Sequence, residues 1–269
     1  MRRLASAALF AVVALAGCSE TSRSDASRAA PPSGLDAADI RSGFAFLQPD
    51  TQALQDDAFS NPGYLWVDRG AELFATSEVG EASCASCHGT GERSLAGIAG
   101  TYPKIDDQSG ELINLEGRIN LCRERHQNRS ALPYESDALL SLTAYVAEQS
   151  RGMSLAPDTS PAANALASIG YDYFTTQRGQ LNLSCQQCHD QNWGKQLRGD
   201  TISQGHGNAF PAYRLEWQSL GSLHRRLRDC DTGVRAEPLP FGDEVYVAVE
   251  LYLAQRAAGL EIESPGVRR

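Results

Sequence analysis

The sequence predicts a mainly α protein built as two small lobes related by internal duplication. Three observations predict it: apolar positions recur at helical spacing, alternating strand patterns are scarce, and the two halves share landmarks at matching intervals. With 269 residues, 42% of them hydrophobic, the chain is long enough to bury two cores. Its formal net charge of -9 repels phosphate backbones, which argues against nucleic acid as a partner.

Residues 1–18 read as an export signal. Arg2 and Arg3 supply its positive region, and Leu4 to Ala16 form an apolar stretch too short for a stable membrane span. Leu15-Ala16-Gly17-Cys18 has the form of a lipobox, which makes Cys18 the candidate lipidation site. The alternative is an ordinary signal peptide in which Cys18 is discarded. Residues 19–40, polar and containing Pro31-Pro32-Ser33-Gly34, read as a flexible tether. No later apolar run approaches the length that crosses a bilayer.

The first lobe is expected over 41–155 and the second over 156–269. Helical spacing runs over Glu135 to Ser150, Pro161 to Thr176, Glu216 to Arg228 and Asp243 to Ala258. Gly70-Ala71-Glu72-Leu73-Phe74 in the first half is matched by Gly170-Tyr171-Asp172-Tyr173-Phe174 in the second. Cys122 lies 19 residues after the proline of Tyr102-Pro103, and Cys230 lies 19 after that of Phe210-Pro211. Each half closes with a helical pattern that runs to a glycine, Gly152 or Gly259.

Cys84-Ala85-Ser86-Cys87-His88 and Cys185-Gln186-Gln187-Cys188-His189 carry the chemistry. In Cys-x-x-Cys-His the two thiols add across haem vinyl groups, and the adjacent imidazole is held where it ligates iron. A thioredoxin-type pair does not call for the histidine, and a zinc site would need the thiols kept reduced. Two covalently bound haem c groups are therefore expected. Cys84 and Cys87 would hold the first and Cys185 and Cys188 the second, with His88 and His189 as axial ligands. Each lobe is then cytochrome c-like, with haem as much of its core.

The ligand on the far side of each iron separates electron transfer from catalysis. After signal removal only Met153 remains among methionines, and it cannot serve two haems. His126, His206 and His224 do not form a pair matched between the halves, whereas Cys122 and Cys230 do. These cysteines read as axial ligands. A Cys122–Cys230 disulfide in an oxidising compartment is the alternative.

Cys230 follows Arg225, Arg226 and Arg228 and precedes Arg235, and on a helix Arg226 shares its face. Guanidinium groups bind tetrahedral oxyanions and favour a nearby thiolate. A solvated basic face balancing Glu216, Asp229 and Asp231 accounts for the same charges, and Cys122 is flanked by Arg118, Arg123 and Arg125.

Together these residues resemble the dihaem SoxA family, the catalytic subunits of SoxAX cytochromes of bacterial sulfur oxidation. The resemblance runs from Thr51-Gln52-Ala53-Leu54-Gln55-Asp56-Asp57 and Asn61-Pro62-Gly63 to Ser264-Pro265-Gly266-Val267-Arg268. Its most specific blocks are Gly194 to Asp200, Phe210-Pro211-Ala212-Tyr213-Arg214, Glu216-Trp217-Gln218, and Ser222-Leu223 through Arg225-Arg226 to Cys230. It implies an L-cysteine S-thiosulfotransferase that joins thiosulfate oxidatively to a cysteine of the carrier SoxYZ. Cys230 would be both axial ligand and catalytic cysteine persulfide, Arg226 the substrate-binding arginine, and Cys122 the axial ligand of the first haem. Electrons would pass to the partner subunit SoxX and then to a soluble cytochrome c. The site would face the periplasm, tethered through Cys18 if that residue is lipidated. Lys195 and Arg214 are further electropositive candidates near the site. Two other functions fit tandem haems. One is a pure electron carrier, in which the arginines near Cys230 have no substrate role. The other is a peroxidase, which the two matched cysteines argue against because it needs an open iron position.

Overall fold

A computed structural model describes residues 34–77, 82–89 and 94–269, so the expected signal, Cys18 and most of the tether lie outside the described residues. In chain order the first half contains α1 (Pro49–Asp56), α2 (Tyr64–Ala75), α3 (Cys84–His88), β1 (Lys104–Ile105), β2 (Leu112–Ile113), α4 (Leu115–Gln127) and α5 (Asp137–Glu148). The second half contains α6 (Pro161–Thr175), α7 (Cys185–His189), β3 (Gln196–Leu197), β4 (Asp200–Thr201), β5 (Ala212–Arg214), β6 (Ser219–Gly221), α8 (Leu223–Gly233), α9 (Glu244–Arg256) and β7 (Gly266–Arg268). The described residues are mainly helical, as the spacing predicts, and no described helix is long and apolar enough to cross a membrane.

Two long helix pairs frame the halves, α2 against α5 and α6 against α9. Each pair closes on a glycine. A Cβ on Gly70 would lie 2.1 Å from the Ser141 carbonyl oxygen, and one on Gly170 would lie 2.1 Å from that of Ala248. Only glycine lets the backbones meet there. One turn later Phe74 and Phe174 enter the two cores, so the matched Gly-to-Phe blocks of the sequence mark equivalent crossings. A third cluster joins Val67, Leu140 and Ala144 of the first half to Tyr213 and Leu220 of the second.

The expected helices around α5, α6 and α9 lie within about two residues of their observed ends. The stretch from Glu216 to Arg228 differs. Gln218 takes a left-handed conformation, φ 52°, which turns the chain into a β5–β6 hairpin pairing Arg214 with Ser219. Ser222 then starts α8, its Oγ accepting from Arg225 N at 3.2 Å, and α8 runs on through Cys230.

β7 lies parallel beside β5, with Tyr213 opposite Val267. That strand ties the C-terminus to α1, because Val267 N donates to Gln55 Oε1 at 2.9 Å and Asn61 Nδ2 donates to the Pro265 carbonyl at 2.9 Å. The chain before α1 reaches the second half as well: Arg41 N donates to Gln204 Oε1 at 2.8 Å, and Gln204 Nε2 donates to the Asp39 carbonyl at 2.7 Å.

Candidate active site

Both Cys-x-x-Cys-His segments fold as single short helices, α3 and α7, each started by a serine. Ser83 Oγ accepts from Ser86 N at 3.0 Å. Ser184 and Gln187 form a reciprocal cap, with Ser184 N donating to Gln187 Oε1 at 2.8 Å. One helical turn brings the two cysteines of each motif to one face and sets the histidine at the end.

His189 is held from several sides. Its Nδ1 lies 2.7 Å from the Ser203 carbonyl, which only accepts, so Nδ1 carries the proton and Nε2 keeps its lone pair for a metal. Gly205, at φ +76°, lies against the ring, and a Cβ there would sit 2.8 Å from His189 Cγ. Arg256 donates to the His189 carbonyl at 3.2 Å and pairs with Asp190. Burial first, opposed by the bond to Ser203, pushes the imidazole down to about 4, so it is neutral at physiological pH, as an iron ligand must be. In the first half a cavity of about 280 Å³ opens against Cys84, walled by Leu73, Leu132 and Leu142 and edged by Arg123 and Gln127. Thiols in pairs, a tautomer-fixed imidazole and an apolar cavity fit covalent haem at these motifs.

No described cysteine is in a disulfide. Cys122 lies close enough to Cys84 and Cys87 for their charges to interact, and Cys230 stands in the same relation to Cys185 and Cys188. Each matched cysteine therefore faces the haem motif of its own half, and the structure removes the Cys122–Cys230 disulfide as an alternative. Burial raises the thiols of Cys122 and Cys188, and takes Cys185 up to about 11.

The two cysteine-bearing helices differ in their charge. On α4, Arg118 lies one turn before Cys122, and its guanidinium is consumed. It donates to Asp106 Oδ1 at 2.5 Å and to the Tyr102 hydroxyl at 3.1 Å. Arg125 binds the other oxygen of Asp106 at 2.8 Å. On α8, Arg226 lies one turn before Cys230, both residues half-buried, and its side chain forms no hydrogen bond or ion pair with any described residue. Arg225 instead covers Trp217 at 4.3 Å, and Arg228 covers Phe241 at 4.5 Å while donating to the Leu239 carbonyl. A half-buried sulfur beside a guanidinium with no hydrogen bond or ion pair among the described residues can receive a small anion with a reactive sulfur. Lys195 Nζ donates to Asn192 Oδ1 at 2.7 Å on an exposed loop.

Sequence reasoning missed the supports. Asp231, next to Cys230, accepts from the hydroxyls of Tyr173 and Tyr246, each at 2.6 Å, which fixes the end of α8. Asp106, which neutralises Arg118, had a signal in the spacing: it stands three residues after Pro103, where the second half has Arg214 three after Pro211. Ser203 acts through its backbone and left no signal. His206 and His224 are buried and His126 is exposed. His206 Nε2 lies 3.2 Å from Gln204 Oε1, and His224 stacks on Tyr134.

The chain is similar to several known proteins. Residues 69–155 match the family described as SoxA/TsdA, cytochrome c domain. An L-cysteine S-thiosulfotransferase subunit SoxA from Pseudaminobacter salicylatoxidans is 39% identical over 90% of this chain and 85% of its own length. Its counterpart from Rhodovulum sulfidophilum is 36% identical over 86% of this chain and 80% of its own. Among solved structures, the crystal structure of SoxXA from P. pantotrophus superimposes with a TM-score of 0.82 at 35% identity, covering 90% of this chain and 93% of that one. The chain belongs to the SoxA family.

Proposed function

We propose that this chain is the dihaem catalytic subunit of a SoxAX cytochrome, joining thiosulfate to a cysteine thiol of the carrier SoxYZ. The observation that carries the reading is the asymmetry of the halves: a guanidinium one turn before the cysteine is bonded to Asp106 beside Cys122 and has no hydrogen bond or ion pair among the described residues beside Cys230. The names of the relatives and the SoxXA complex among the solved structures support it.

In this reading Arg226 holds the sulfonate end of thiosulfate and directs the sulfane sulfur at the terminal sulfur that Cys230 presents, as thiolate or persulfide. A sulfur–sulfur bond forms and two electrons leave. The carrier thiolate then attacks the sulfane sulfur, the bond to the Cys230 side breaks, and Cys230 recovers its anion. The net change is one carrier thiol and one thiosulfate giving a cysteine S-thiosulfonate, one proton and two electrons. Haem c supplies the acceptor path for those electrons, toward SoxX and a soluble cytochrome c.

Two haem c groups complete the proposal. Cys84, Cys87, His88 and Cys122 would hold the first, and Cys185, Cys188, His189 and Cys230 would hold the second. Duplication of one lobe accounts for the matched crossings at Gly70 and Gly170. Residues 1–18 direct export to the periplasm, with Cys18 as a lipid anchor. Mass spectrometry of the Cys230 peptide from haem-loaded protein, before and after thiosulfate and reductant, tests the chemistry. Added sulfur or thiosulfonate on Cys230 and not on Cys122 is expected. A Cys230 unmodified under every condition would leave an electron carrier.

A further inference from the structure

Arg214 is 7% exposed, at the end of β5, and its only polar side-chain partner among the described residues is Glu216, whose Oε2 accepts from Nη2 at 2.9 Å. Its Nε is buried with no hydrogen-bond partner. Leaving a charged donor unpaired in the interior is costly, so such an atom points to a group it is built to meet. Alternation along β5 sends Tyr213 to the packed cluster between the halves and Arg214 to the other face, where its charge interacts with Arg226 and with Cys230. Trp217 lies under the guanidinium, 5.0 Å from it, and limits its directions.

Two guanidiniums brought together with little solvent repel unless an anion joins them. Glu216 does this only in part: its side chain is 65% exposed, and its charge is shared with Arg226 and Arg198 as well as Arg214. In the first half the position matching Arg214 is Asp106, a permanent internal counterion for Arg118. The exchange of an aspartate for an arginine at one point of the repeat turns a closed ion pair into an open pair of cations.

We infer that Arg214 is a second anion-binding residue, acting with Arg226 as a two-armed clamp on the sulfonate of thiosulfate beside Cys230, and that the Asp106–Arg214 exchange confines anion binding to the second half. The substrate class rests on the function proposed above; the anion site itself does not. Two forks offer more donors than one, matching a group with three equivalent oxygens and fixing which end of thiosulfate faces the sulfur.

The test uses the haem-loaded complex with SoxX, as wild type, Arg214→Gln and Arg214→Lys. Calorimetric titration with sulfate, a tetrahedral dianion that does not react, reads the site without turnover. Arg214→Gln is expected to weaken sulfate about 10- to 100-fold, with the haem absorption spectrum and melting temperature retained. Arg214→Lys, which keeps the charge and loses the fork, should recover part of that loss. In turnover with SoxYZ the Gln variant should raise KM for thiosulfate more than it lowers kcat. Equal sulfate affinity in wild type and Arg214→Gln, or no sulfate binding by wild type, would overturn the inference. If wild type binds sulfate through Arg214 yet never conjugates thiosulfate, the anion site stands and the proposed function fails.

Discussion

Asp231 accepts a 2.6 Å hydrogen bond from the Tyr173 hydroxyl, linking the residue after Cys230 to helix α6. The same carboxylate oxygen takes the Tyr246 hydroxyl at 2.6 Å, and Arg178 approaches the other oxygen at 3.4 Å. With Asp231 only 3% exposed, removing its charge takes the ionic acceptor from two phenols and from one nitrogen of Arg178, whose other nitrogen keeps the Tyr173 carbonyl. Asp231→Asn should cost about 2–4 kcal/mol in denaturant unfolding, and Tyr173→Phe or Tyr246→Phe about 1–2 kcal/mol each. The tyrosine effects should not add, since both bond one oxygen. A change below about 0.5 kcal/mol for Asp231→Asn would remove this network as the anchor of α8.

Gly205 packs against His189. A side chain there must adopt φ +76° and place its Cβ 2.8 Å from the ring of His189. Gly205→Ala should therefore move the imidazole off its bond to Ser203 and destabilise the second half by at least about 1 kcal/mol. Electron paramagnetic resonance of the oxidised protein checks it: the signal of the haem proposed at Cys185–His189 should shift and that of the haem proposed at Cys84–His88 should not. Identical spectra would show that the backbone absorbs the methyl group.

The glycine crossings, and the nearness of each matched cysteine to the Cys-x-x-Cys-His helix of its own half, were legible because each is fixed by local chemistry at a fixed spacing. A helix pair that closes on Gly70 or Gly170 must show the glycine, and a thioether pair must show Cys-x-x-Cys. The turn at Gln218 was not legible, because a left-handed glutamine has no compositional mark and Glu216 to Arg228 keeps a helical pattern across it. Nor was the charge state of the two arginines. Arg118 and Arg226 look alike along the chain, and only the fold shows that Asp106, 12 residues upstream, closes on the first. The tether could not foretell that Asp39 and Arg41 bind Gln204, a contact across 163 residues for Arg41.

Between the halves a cavity of about 100 Å³ is lined by Glu116 and Glu250. Thr143 and Asn114 line it too, with Tyr134, Glu135 and His224 packed nearby. Burial raises Glu116 to about 7, with the Glu135 carboxylate adding to the rise, and burial together with Glu116 raises Glu250 well above its ordinary value. The neutral forms are favoured in the folded protein, so ionisation works against folding. The contribution of these two carboxyls to stability should be most favourable below the unfolded carboxylate range and fall as pH rises toward 7, by about 3 kcal/mol for Glu116 alone. Urea unfolding at intervals from pH 5 to 8 should show this slope, and Glu116→Gln should flatten it. A wild-type stability that does not change over that range would mean that the carboxylates are solvated or paired.

Asp106 has the reverse dependence. Arg125 and Arg118, with the Ser109 amide and hydroxyl, hold its carboxyl well below the usual range. The stability it contributes is complete above the unfolded value near 3.8 and is lost as pH falls through the depressed folded value. Asp106→Asn should therefore lower the melting temperature at pH 6 and erase most of that difference in strong acid. The substitution also releases Arg118 and Arg125 next to Cys122, so the first half should acquire a weak sulfate site that wild type lacks. Calorimetric titration would register it as a second binding event, absent again in Asp106→Asn/Arg118→Gln. Thiosulfate turnover, proposed at Cys230, should be unaffected, because no part of this ion pair reaches the second half. A variant that melts like wild type at pH 6 would show that the two arginines find other partners, and the contrast between the halves would then rest on Arg214 alone.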